Sequence, residues 1–360
     1  MNVLLVCKLG DSTLTENVLR PMLASGRVGK IYVLRDYKGT LVDDRVEYVV
    51  PAKPQKGTLR HVAKIWRGIR AVRRKRVNTV VGVLNTPHGF IGRVIGLLSR
   101  RPYVHMTIAG HREFWVDGPR MEKLNLRLFG SGAAITVTGE RTRQYLLGKG
   151  VRPEMIFIMP NLPDEAFTKV PLREERRYDI VSFSRIDRNK NLILLIRALA
   201  ALKDQYPLKV AVAGDGDEME NIVTAAKTSG VADKIDFLGY ISGVEEKIRV
   251  LSDSRIFISC SKGEGFPVAL LEAMNCGCVP VVSDVGDISD VIVNGENGYM
   301  YEDTDDEAEF VSCLKELLSE PERVKAMRKE AAKIKESISV ARNGERWDKI
   351  FQYVSDRYGC

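Results

Sequence analysis

The sequence predicts an α/β protein made of two doubly wound units with mostly parallel sheets. Short apolar segments of strand length alternate with helix-length segments along most of the 360 residues. This alternation is typical of parallel sheets that are covered on both faces. It breaks at Pro160-Asn161-Leu162-Pro163 and then starts again. Two units of similar size are therefore expected, with a ligand in the cleft between them, beyond the carboxyl ends of the strands.

The first unit begins with an apolar strand at 2–7, a polar loop and a helix at about 13–23. Further strands of the first unit are expected at 30–35, 47–50, 79–84, 103–108, 134–138 and 155–159.

A linker is predicted between the two units. The stretch 164–177 is polar and contains Pro171. We therefore place the two domains at 1–163 and 178–340.

The second unit repeats the strand and helix alternation. Its strands are expected at 179–184, 208–214, 235–238, 255–259 and 279–282, and its helices at 191–202, 218–229, 244–251 and 269–274. The remaining sequence reads as three helices, at 306–319, 322–336 and 341–358.

Charge separates the two halves of the chain. Residues 1–175 hold 30 Lys and Arg against 15 Asp and Glu, whereas residues 176–360 hold 25 against 32. The densest basic run is Leu59–Arg76, in which Val62, Trp66, Ile69 and Val72 recur at helical spacing and predict a face packed on the sheet. The basic residues of the run predict a second face that binds an anionic membrane surface. They are Arg60, Lys64, Arg67, Arg70, Arg73, Arg74, Lys75 and Arg76.

Several classes of protein fit the sequence poorly. No apolar run is long enough to cross a bilayer, and no basic segment precedes the first apolar stretch as in a signal peptide. Six scattered cysteines favour a reduced cytoplasmic setting, and the lone pair Cys276 and Cys278 is weak evidence for a metal site. The basic run has little aromatic interleaving, so nucleic acid is not expected as a partner.

The stretch Arg255–Gly286 predicts a site for an anion. It reads as strand, glycine-bearing loop, helix opened by Pro267, and strand. The free N–H groups at the helix start favour phosphate oxygens, and Gly263 and Gly265 let the backbone approach a ligand. Glu264 lies beside this anion site and Glu272 lies inside the helix.

Two further turns carry basic or glycine residues. Arg185 and Lys190 follow the first strand of the second unit, where both side chains are able to reach one diphosphate. Gly214-Asp215-Gly216 supplies a tight turn but lacks the third glycine of a dinucleotide fingerprint, which counts against an NAD-dependent oxidoreductase.

Taken together and in order, these pieces resemble the sugar-nucleotide half of glycosyltransferase family 4. The resemblance is specific over about 178–300. It implies the GT-B fold, with two Rossmann-like domains of parallel sheets facing a central cleft, metal-independent transfer and retention of anomeric configuration. It also implies that the helix at 341–360 packs back on the first domain. The segments that carry it are Arg185 with Lys190, Gly214-Asp215-Gly216, Phe237-Leu238-Gly239, Glu264-Gly265-Phe266-Pro267, Glu272-Ala273-Met274, Gly277 with Pro280-Val281-Val282, and Asn297-Gly298.

The resemblance implies a role for each matching residue. Arg185 and Lys190 neutralise the diphosphate and stabilise the leaving group, and Glu272 holds the ribose hydroxyls. Glu264 holds the donor sugar and assists at the reacting centre, so the catalytic residues are Glu264, Arg185, Lys190 and a histidine of the first half, His111. The residues Gly265, Phe266, Pro267 and Val268 belong to the donor site. Their backbone N–H groups, which Pro267 lacks, meet the sugar or phosphate. Gly214 belongs to the donor site, and the base lies near Phe237, Leu238, Gly239 and Tyr240.

The first half departs from the family pattern in two places. A glycine pair is usual after the first strand, and here Gly10 stands alone. The family places a histidine at a strand end near the donor sugar, for which this chain offers His105 and His111. His105 lies inside the strand and is interpreted as structural, so His111 is preferred. In a different register, Gly110 or Arg112 faces the sugar.

The resulting hypothesis is a cytoplasmic glycosyltransferase, peripheral on the inner face of the membrane. It transfers a sugar from a UDP-, GDP- or ADP-sugar to a hydroxyl of a glycan or lipid-linked acceptor, without a metal cofactor. Two alternatives remain at this point, a sugar-nucleotide or polyanion binding protein without turnover and a nucleotide-sugar epimerase. The sequence identifies neither the donor base nor the acceptor.

Overall fold

The computed structural model describes residues 1–51, 59–115 and 118–359. It divides the chain into two compact units, one formed by Met1–Leu162 with Ile338–Cys360 and the other by Pro163–Ser337. We call them unit 1 and unit 2. Each contains one parallel sheet, as the alternating sequence pattern predicts.

Unit 1 contains a seven-stranded parallel sheet in the order β3-β2-β1-β4-β5-β6-β7. Its strands are Asn2–Val6 (β1), Lys30–Leu34 (β2), Val46–Val49 (β3), Thr79–Val83 (β4), Tyr103–Met106 (β5), Ala134–Val137 (β6) and Ile156–Ile158 (β7). Its first helices are Asp11–Leu14 (α1), Arg20–Ala24 (α2), Leu59–Arg74 (α3), Phe90–Ser99 (α4), Pro119–Phe129 (α5) and Glu140–Gly148 (α6).

Helices cover both faces of this sheet. On β1, Val3 and Leu5 belong to one hydrophobic cluster, while Leu4 and Val6 belong to another. Because successive side chains of a strand point to opposite faces, the two clusters lie on opposite sides of the sheet. The central strands β1, β4, β5 and β6 are buried on both faces for this reason, which explains their nearly continuous apolar sequence.

Unit 2 contains a six-stranded parallel sheet in the order β10-β9-β8-β11-β12-β13. Its strands are Tyr178–Phe183 (β8), Val210–Ala213 (β9), Ile235–Gly239 (β10), Ser254–Ser259 (β11), Val279–Ser283 (β12) and Tyr299–Tyr301 (β13). Its helices are Glu165–Thr168 (α7), Leu192–Leu202 (α8), Met219–Thr228 (α9), Val244–Ser252 (α10), Val268–Asn275 (α11), Glu307–Ser319 (α12), Pro321–Ala331 (α13) and Ile334–Ser337 (α14).

The stretch 164–177, predicted as a linker, packs on unit 2. Phe167 is fully buried, and the Arg176 guanidinium donates to the backbone carbonyls of Cys276 (2.7 Å), Leu251 (3.3 Å) and Ser254. The buried arginine is held by carbonyl groups that it satisfies.

The last helix, Val340–Tyr358 (α15), belongs to unit 1. Trp347 and Phe351 are fully buried in one of the two clusters of that unit. Gly344 permits the close approach to α2, because an added Cβ would lie 2.9 Å from Ala24 Cβ. The apolar stripe of this helix therefore contributes to the core of unit 1.

The predicted inward stripe of helix α3 is wrong for its first half. Val62 and Trp66, expected against the sheet, are 64% and 61% exposed, whereas Lys64, expected in solvent, is 1% exposed. Ile69 and Val72 do pack on the core as expected, and the buried positions Lys64, Gly68 and Val72 are four residues apart. An added Cβ at Gly68 would lie 2.3 Å from Ile95 Cδ1, so this glycine allows α3 to pack closely on α4.

Lys64 tolerates burial because it has partners on neighbouring elements. Its Nζ lies 2.8 Å from Asp36 Oδ1 and 3.3 Å from His88 Nε2. Burial and the nearby Lys64 charge lower the pKa of His88 to about 4, so its imidazole is neutral at pH 7.

Among the described residues, no helix combines the length and apolar composition required to cross a bilayer.

Candidate functional site

The candidate site of unit 2 forms where strands β8 and β11 end. These strands are neighbours in the sheet, so the loops that follow them meet at its carboxyl edge. The Asn189 carbonyl accepts from the Lys262 N–H at 2.8 Å, and the Asn189 amide donates to the Gly263 carbonyl at 2.9 Å. These two hydrogen bonds fix one loop against the other.

The joined loops bring Lys190 and Glu264 together. Lys190 Nζ lies 2.5 Å from Glu264 Oε1, and both side chains are largely buried. Arg185 lies on the same loop as Lys190, pairs with Asp187 at 3.3 Å and leaves most of its side chain in solvent. The sequence placed both cations at this end of β8, and the structure adds the ion pair to Glu264.

Two glycines are required where the backbone segments of the site meet. Gly214 has a φ of +140°, and an added Cβ would lie 1.8 Å from the Ser184 carbonyl oxygen. Gly286 has a φ of +66°, and an added Cβ would lie 2.2 Å from the Gly265 carbonyl oxygen. No other residue fits either position without moving the neighbouring loop.

A cavity of about 290 Å³ opens beside these loops. It combines one buried carboxylate, two cations and backbone turns, which suits a ligand that carries both hydroxyl groups and an anion. The residues that line it are Phe183, Ser184, Arg185, Gly214, Asp215, Tyr240, Ile241, Ser242, Lys247, Val268, Ala269 and Glu272.

Glu272 is the carboxylate of this cavity. It is 6% exposed on helix α11, and its Oε1 lies 3.7 Å from Lys247 Nζ. Burial raises the pKa of Glu272, and Lys247 opposes that shift by stabilising the ionised form. A buried carboxylate of this kind is able to accept hydrogen bonds from two neighbouring hydroxyl groups.

Lys247 was not among the residues that the sequence singled out. It lies on helix α10 beside Glu245 and Glu246, and nothing in that run distinguishes it from a solvated charge. Its importance depends on the packing of α10 against α11, which brings it to Glu272 from another part of the chain.

The start of helix α11 faces the same cavity. Pro267 precedes the helix, and its first two residues, Val268 and Ala269, line the cavity. Phe266 is 4% exposed and anchors the preceding loop, while the Gly265 carbonyl accepts from the Asp287 N–H at 2.9 Å. The first-turn N–H groups of α11 therefore lie at the cavity wall, where anions are favoured.

Of the four residues expected near a base, Tyr240 lines the cavity and the other three do not. Phe237 packs against the hydrophobic core of unit 2. Ile241 and Ser242 also line the cavity, after an irregularity in the register of β10 between Phe237 and Gly239. Tyr240 is 78% exposed, so its ring is accessible to a ligand.

Unit 1 holds the remaining predicted residues. His111 lies in a 3₁₀ turn after β5, with its ring centroid 5.3 Å from that of Tyr145. His105 is fully buried, stacks on Phe129 and shares hydrogen bonds with Tyr103 and Asn85. Burial lowers the pKa of His105 to about 3, which agrees with a structural role.

Two alternatives for the histidine lie in the same turn. Gly110 adopts a φ of +69°, and Arg112 is exposed.

Gly10 precedes α1 with an ordinary negative φ, and an added Cβ there would meet nothing within 4 Å. The local backbone of unit 1 therefore does not itself require glycine at position 10.

Glu113 organises the His111 turn, and no motif in the sequence marked it. Its Oε1 accepts from the N–H groups of Ile108 and Ala109, each at 2.5 Å, and its own carbonyl accepts from the Asn85 amide. Burial raises the pKa of Glu113 to about 7. The turn after β5 is thus folded around a buried carboxyl group.

Metal-binding clusters are not found in the part of the chain that the structure describes. No group of three or more His, Cys, Asp or Glu side chains is placed to hold an ion there. Cys276 and Cys278 are buried thiols, and burial raises the pKa of both, to about 12 and about 11. Cys360 lies outside the described residues.

Family models match both units. Residues 12–161 match the glycosyl transferase 4-like domain, and residues 164–334 match glycosyl transferases group 1. Together the two matches cover most of the chain.

Similar proteins include the putative glycosyltransferase EpsD from Bacillus subtilis, 27% identical over 61% of this chain and 56% of that protein. The GDP-mannose-dependent alpha-(1-6)-phosphatidylinositol monomannoside mannosyltransferase from Mycolicibacterium smegmatis is 26% identical over 65% of this chain and 66% of that protein. The matches thus span between half and two thirds of the length of these curated relatives.

The fold matches solved structures over nearly the whole chain. The crystal structure of Anabaena Alr3699/HepE in complex with UDP superimposes with a TM-score of 0.76 at 15% identity, covering 98% of this chain and 100% of that one. The two parallel sheets are those of the GT-B glycosyltransferases. With both family models matched in order, the chain belongs to the GT-B glycosyltransferases of the family 4 type.

Proposed function

We propose that the protein is a retaining glycosyltransferase that moves a sugar from a nucleoside diphosphate donor to an acceptor hydroxyl. The observation that carries the proposal is the cavity of unit 2, where Glu272, Lys247 and Arg185 surround the start of helix α11. This set of groups matches the chemistry of a nucleoside diphosphate, with carboxylate for ribose hydroxyls and cations for phosphate oxygens. The UDP complex of the structural relative supports the same class of donor.

Catalysis in this proposal is electrostatic. Departure of the nucleoside diphosphate leaves negative charge on its phosphate oxygens. Arg185, Lys190 and the first-turn amides of α11 stabilise that charge, and Lys190 and the amides are held in position before the reaction begins. Glu264, held against Lys190, orients the donor sugar, and this set of cations performs the role for which other transferases use a metal.

The proposal is tested with a panel of UDP-, GDP- and ADP-sugars. Thermal shift reports binding, and release of nucleoside diphosphate with added acceptor reports transfer. Stabilisation without release for every donor and acceptor supports a binding protein and contradicts the proposal. Conversion of the donor sugar without an acceptor supports an epimerase and also contradicts it. A product whose anomeric configuration is inverted contradicts the retaining part alone.

We also propose that unit 1 docks on the anionic inner surface of the cell membrane to reach a lipid-linked or glycan acceptor. Helix α3 exposes Val62 and Trp66, and Arg70 lies over the Trp66 ring with 5.4 Å between its Cζ and the ring centroid. Exposed cations follow at Arg73–Arg76, of which Lys75 pairs with Glu47 at 3.0 Å. Apolar side chains rimmed by cations suit an anionic bilayer, and buried Lys64 takes no part.

The docking proposal is tested with vesicles of phosphatidylcholine, with and without phosphatidylglycerol. Trp66→Ala is expected to weaken binding to the anionic vesicles about tenfold, with an unchanged unfolding temperature because the ring is exposed. Tyr240→Ala removes an exposed ring from unit 2 and serves as the control. Equal vesicle binding by both variants contradicts docking through α3.

A further inference from the structure

Unit 1 has a cavity of about 310 Å³ at the opposite edge of its sheet from His111. It lies where β5 and β6 begin, below the end of helix α4 and beside the end of α15. We call it the arginine cavity. Among the residues that the structure describes, its lining includes three arginines and no Asp or Glu: Arg93, Gly96, Leu97, Arg100, Arg101, Pro102, Tyr103, Ser131, Gly132, Ala133, Tyr358 and Gly359.

Arg93 is fixed at the wall of this cavity. Its Nη2 donates to the carbonyl and to Oγ of Ser131, each at 3.0 Å, and its Cζ lies 5.7 Å from the centroid of the Tyr103 ring. The side chain is half-buried, and burial lowers the pKa of Arg93. These contacts satisfy Nη2 and hold the guanidinium, with its positive charge, at the wall of the cavity.

Arg100 and Arg101 complete the basic lining. Arg100 ends helix α4 with a φ of +52°, a left-handed conformation that arginine rarely adopts and that usually falls to glycine or asparagine. Among residues 1–51, 59–115 and 118–359, none forms an ion pair with Arg93, Arg100 or Arg101. Several other arginines of unit 1, such as Arg35 with Asp11, do have carboxylate partners.

Exposed leucines and further cations lie at the same edge of the sheet as the cavity. Leu97 and Leu98 are 57% and 60% exposed at the end of α4. Helices α3 and α4 both connect parallel strands and pack on each other, so both end at this edge of the sheet. The run Arg73–Arg76 therefore lies at the same edge as the cavity.

We propose that the arginine cavity binds the phosphate of an anionic ligand, with the phosphodiester headgroup of a membrane lipid as its favoured source. Guanidinium groups bind phosphate oxygens through paired N–H donors, and the exposed leucines suit the apolar part of a lipid. This inference deepens the proposed membrane docking and is independent of sugar transfer. A soluble phosphate ester offers the same headgroup chemistry without the apolar part.

The test compares two double variants of the full chain. Arg93→Gln with Arg100→Gly removes two charges from the cavity, and glycine suits the backbone at position 100. Arg27→Ala with Lys349→Ala removes two exposed charges near α15, on the other face of the sheet. Vesicle co-sedimentation uses phosphatidylcholine with phosphatidylglycerol, and calorimetry uses glycerol 1-phosphate in solution. Unfolding temperatures check that both variants fold, and the single variant Arg101→Ala replaces the first if it does not.

The cavity variant is expected to bind anionic vesicles about tenfold more weakly than the wild type, and the control variant within about twofold. Loss of glycerol 1-phosphate binding with retained vesicle binding also supports the site and assigns it to a soluble ester. If the wild type binds no vesicles, docking fails and the glycerol 1-phosphate arm alone decides the site. Equal behaviour of the cavity and control variants toward both probes overturns the inference.

Discussion

Lys190 Nζ and Glu264 Oε1 lie 2.5 Å apart, with 17% and 15% of their side chains exposed. The ammonium that we assign to the donor phosphate is therefore already neutralised by the carboxylate that we assign to the donor sugar. A bound diphosphate competes with Glu264 for Lys190. Because the pair is largely buried, this exchange of partners affects both affinity and reaction.

Glu264→Gln is expected to separate binding from transfer. The amide no longer competes for Lys190, so the affinity for a free nucleoside diphosphate rises about tenfold, while sugar transfer falls because the carboxylate is lost. Calorimetry with the nucleotide and steady-state kinetics measure the two quantities. Glu296→Gln, an exposed change elsewhere in unit 2, serves as the control. A parallel loss of nucleotide affinity and transfer shows that the ion pair supports binding instead of competing with it.

Lys247→Met is expected to make donor binding depend on pH. Without the ammonium 3.7 Å away, burial raises the pKa of Glu272 further, so its carboxyl group stays protonated up to a higher pH than in the wild type. As pH falls, the variant therefore loses donor affinity at a higher pH than the wild type, and the affinity recovers as pH rises. Lys247→Arg keeps the charge and the wild-type profile. A uniform loss at every pH contradicts the assigned role of Lys247.

Gly214→Ala is expected to destabilise unit 2 by about 3 kcal/mol or more. The new methyl group meets the Ser184 carbonyl oxygen at 1.8 Å, and the backbone has a φ of +140°. Chemical denaturation measures the change in unfolding free energy. Gly148→Ala is the matched control, since its Cβ would meet nothing within 4 Å and the residue lies in helix α6. Similar stability of the two variants contradicts the close approach.

Glu113→Gln is expected to change how stability depends on pH. The pKa of Glu113 is about 7 in the folded protein, above its ordinary value of 4.5, so the folded state binds the proton more tightly than the unfolded chain. Protonated Glu113 therefore stabilises the folded state, fully so below pH 4.5. This stabilisation is lost as pH rises through about 7, and the loss is about 3 kcal/mol in total.

The glutamine variant lacks that loss, so its unfolding free energy falls less between about pH 5 and about pH 8 than that of the wild type. Denaturation curves across this range provide the measurement. Glu154→Gln, which replaces a half-exposed carboxylate of unit 1, should leave the wild-type slope. Identical slopes for Glu113→Gln and the wild type contradict a buried carboxyl group in the turn that carries His111.

Much of the fold follows from local sequence. The strands of both units are short apolar runs between helices, and their burial on both faces accounts for that pattern. The three-residue strand Tyr299–Tyr301 was missed because it is too short to show a period. The first half of the predicted α3 stripe was misplaced because Lys64 is buried. Its partners Asp36 and His88, which make that burial possible, lie far from it in sequence.

Much of the candidate site also follows from local sequence. Arg185, Lys190, Glu264 and Glu272 stand in motifs that sequence alone connects to one ligand class, and the structure brings Lys190 to Glu264. Lys247 and Glu113 act through contacts between separate elements or through burial. Neither property leaves a pattern in the neighbouring residues, so only the folded chain reveals them.

Release of nucleoside diphosphate by Lys190→Ala tests the central claim most directly. The measurement uses the donor that the wild type accepts, at saturating acceptor, beside Lys227→Ala as an exposed lysine control in unit 2. We expect Lys190→Ala to remain folded and to release the diphosphate at least about 100-fold more slowly, with the control unchanged. A folded Lys190→Ala protein with the wild-type rate contradicts the account.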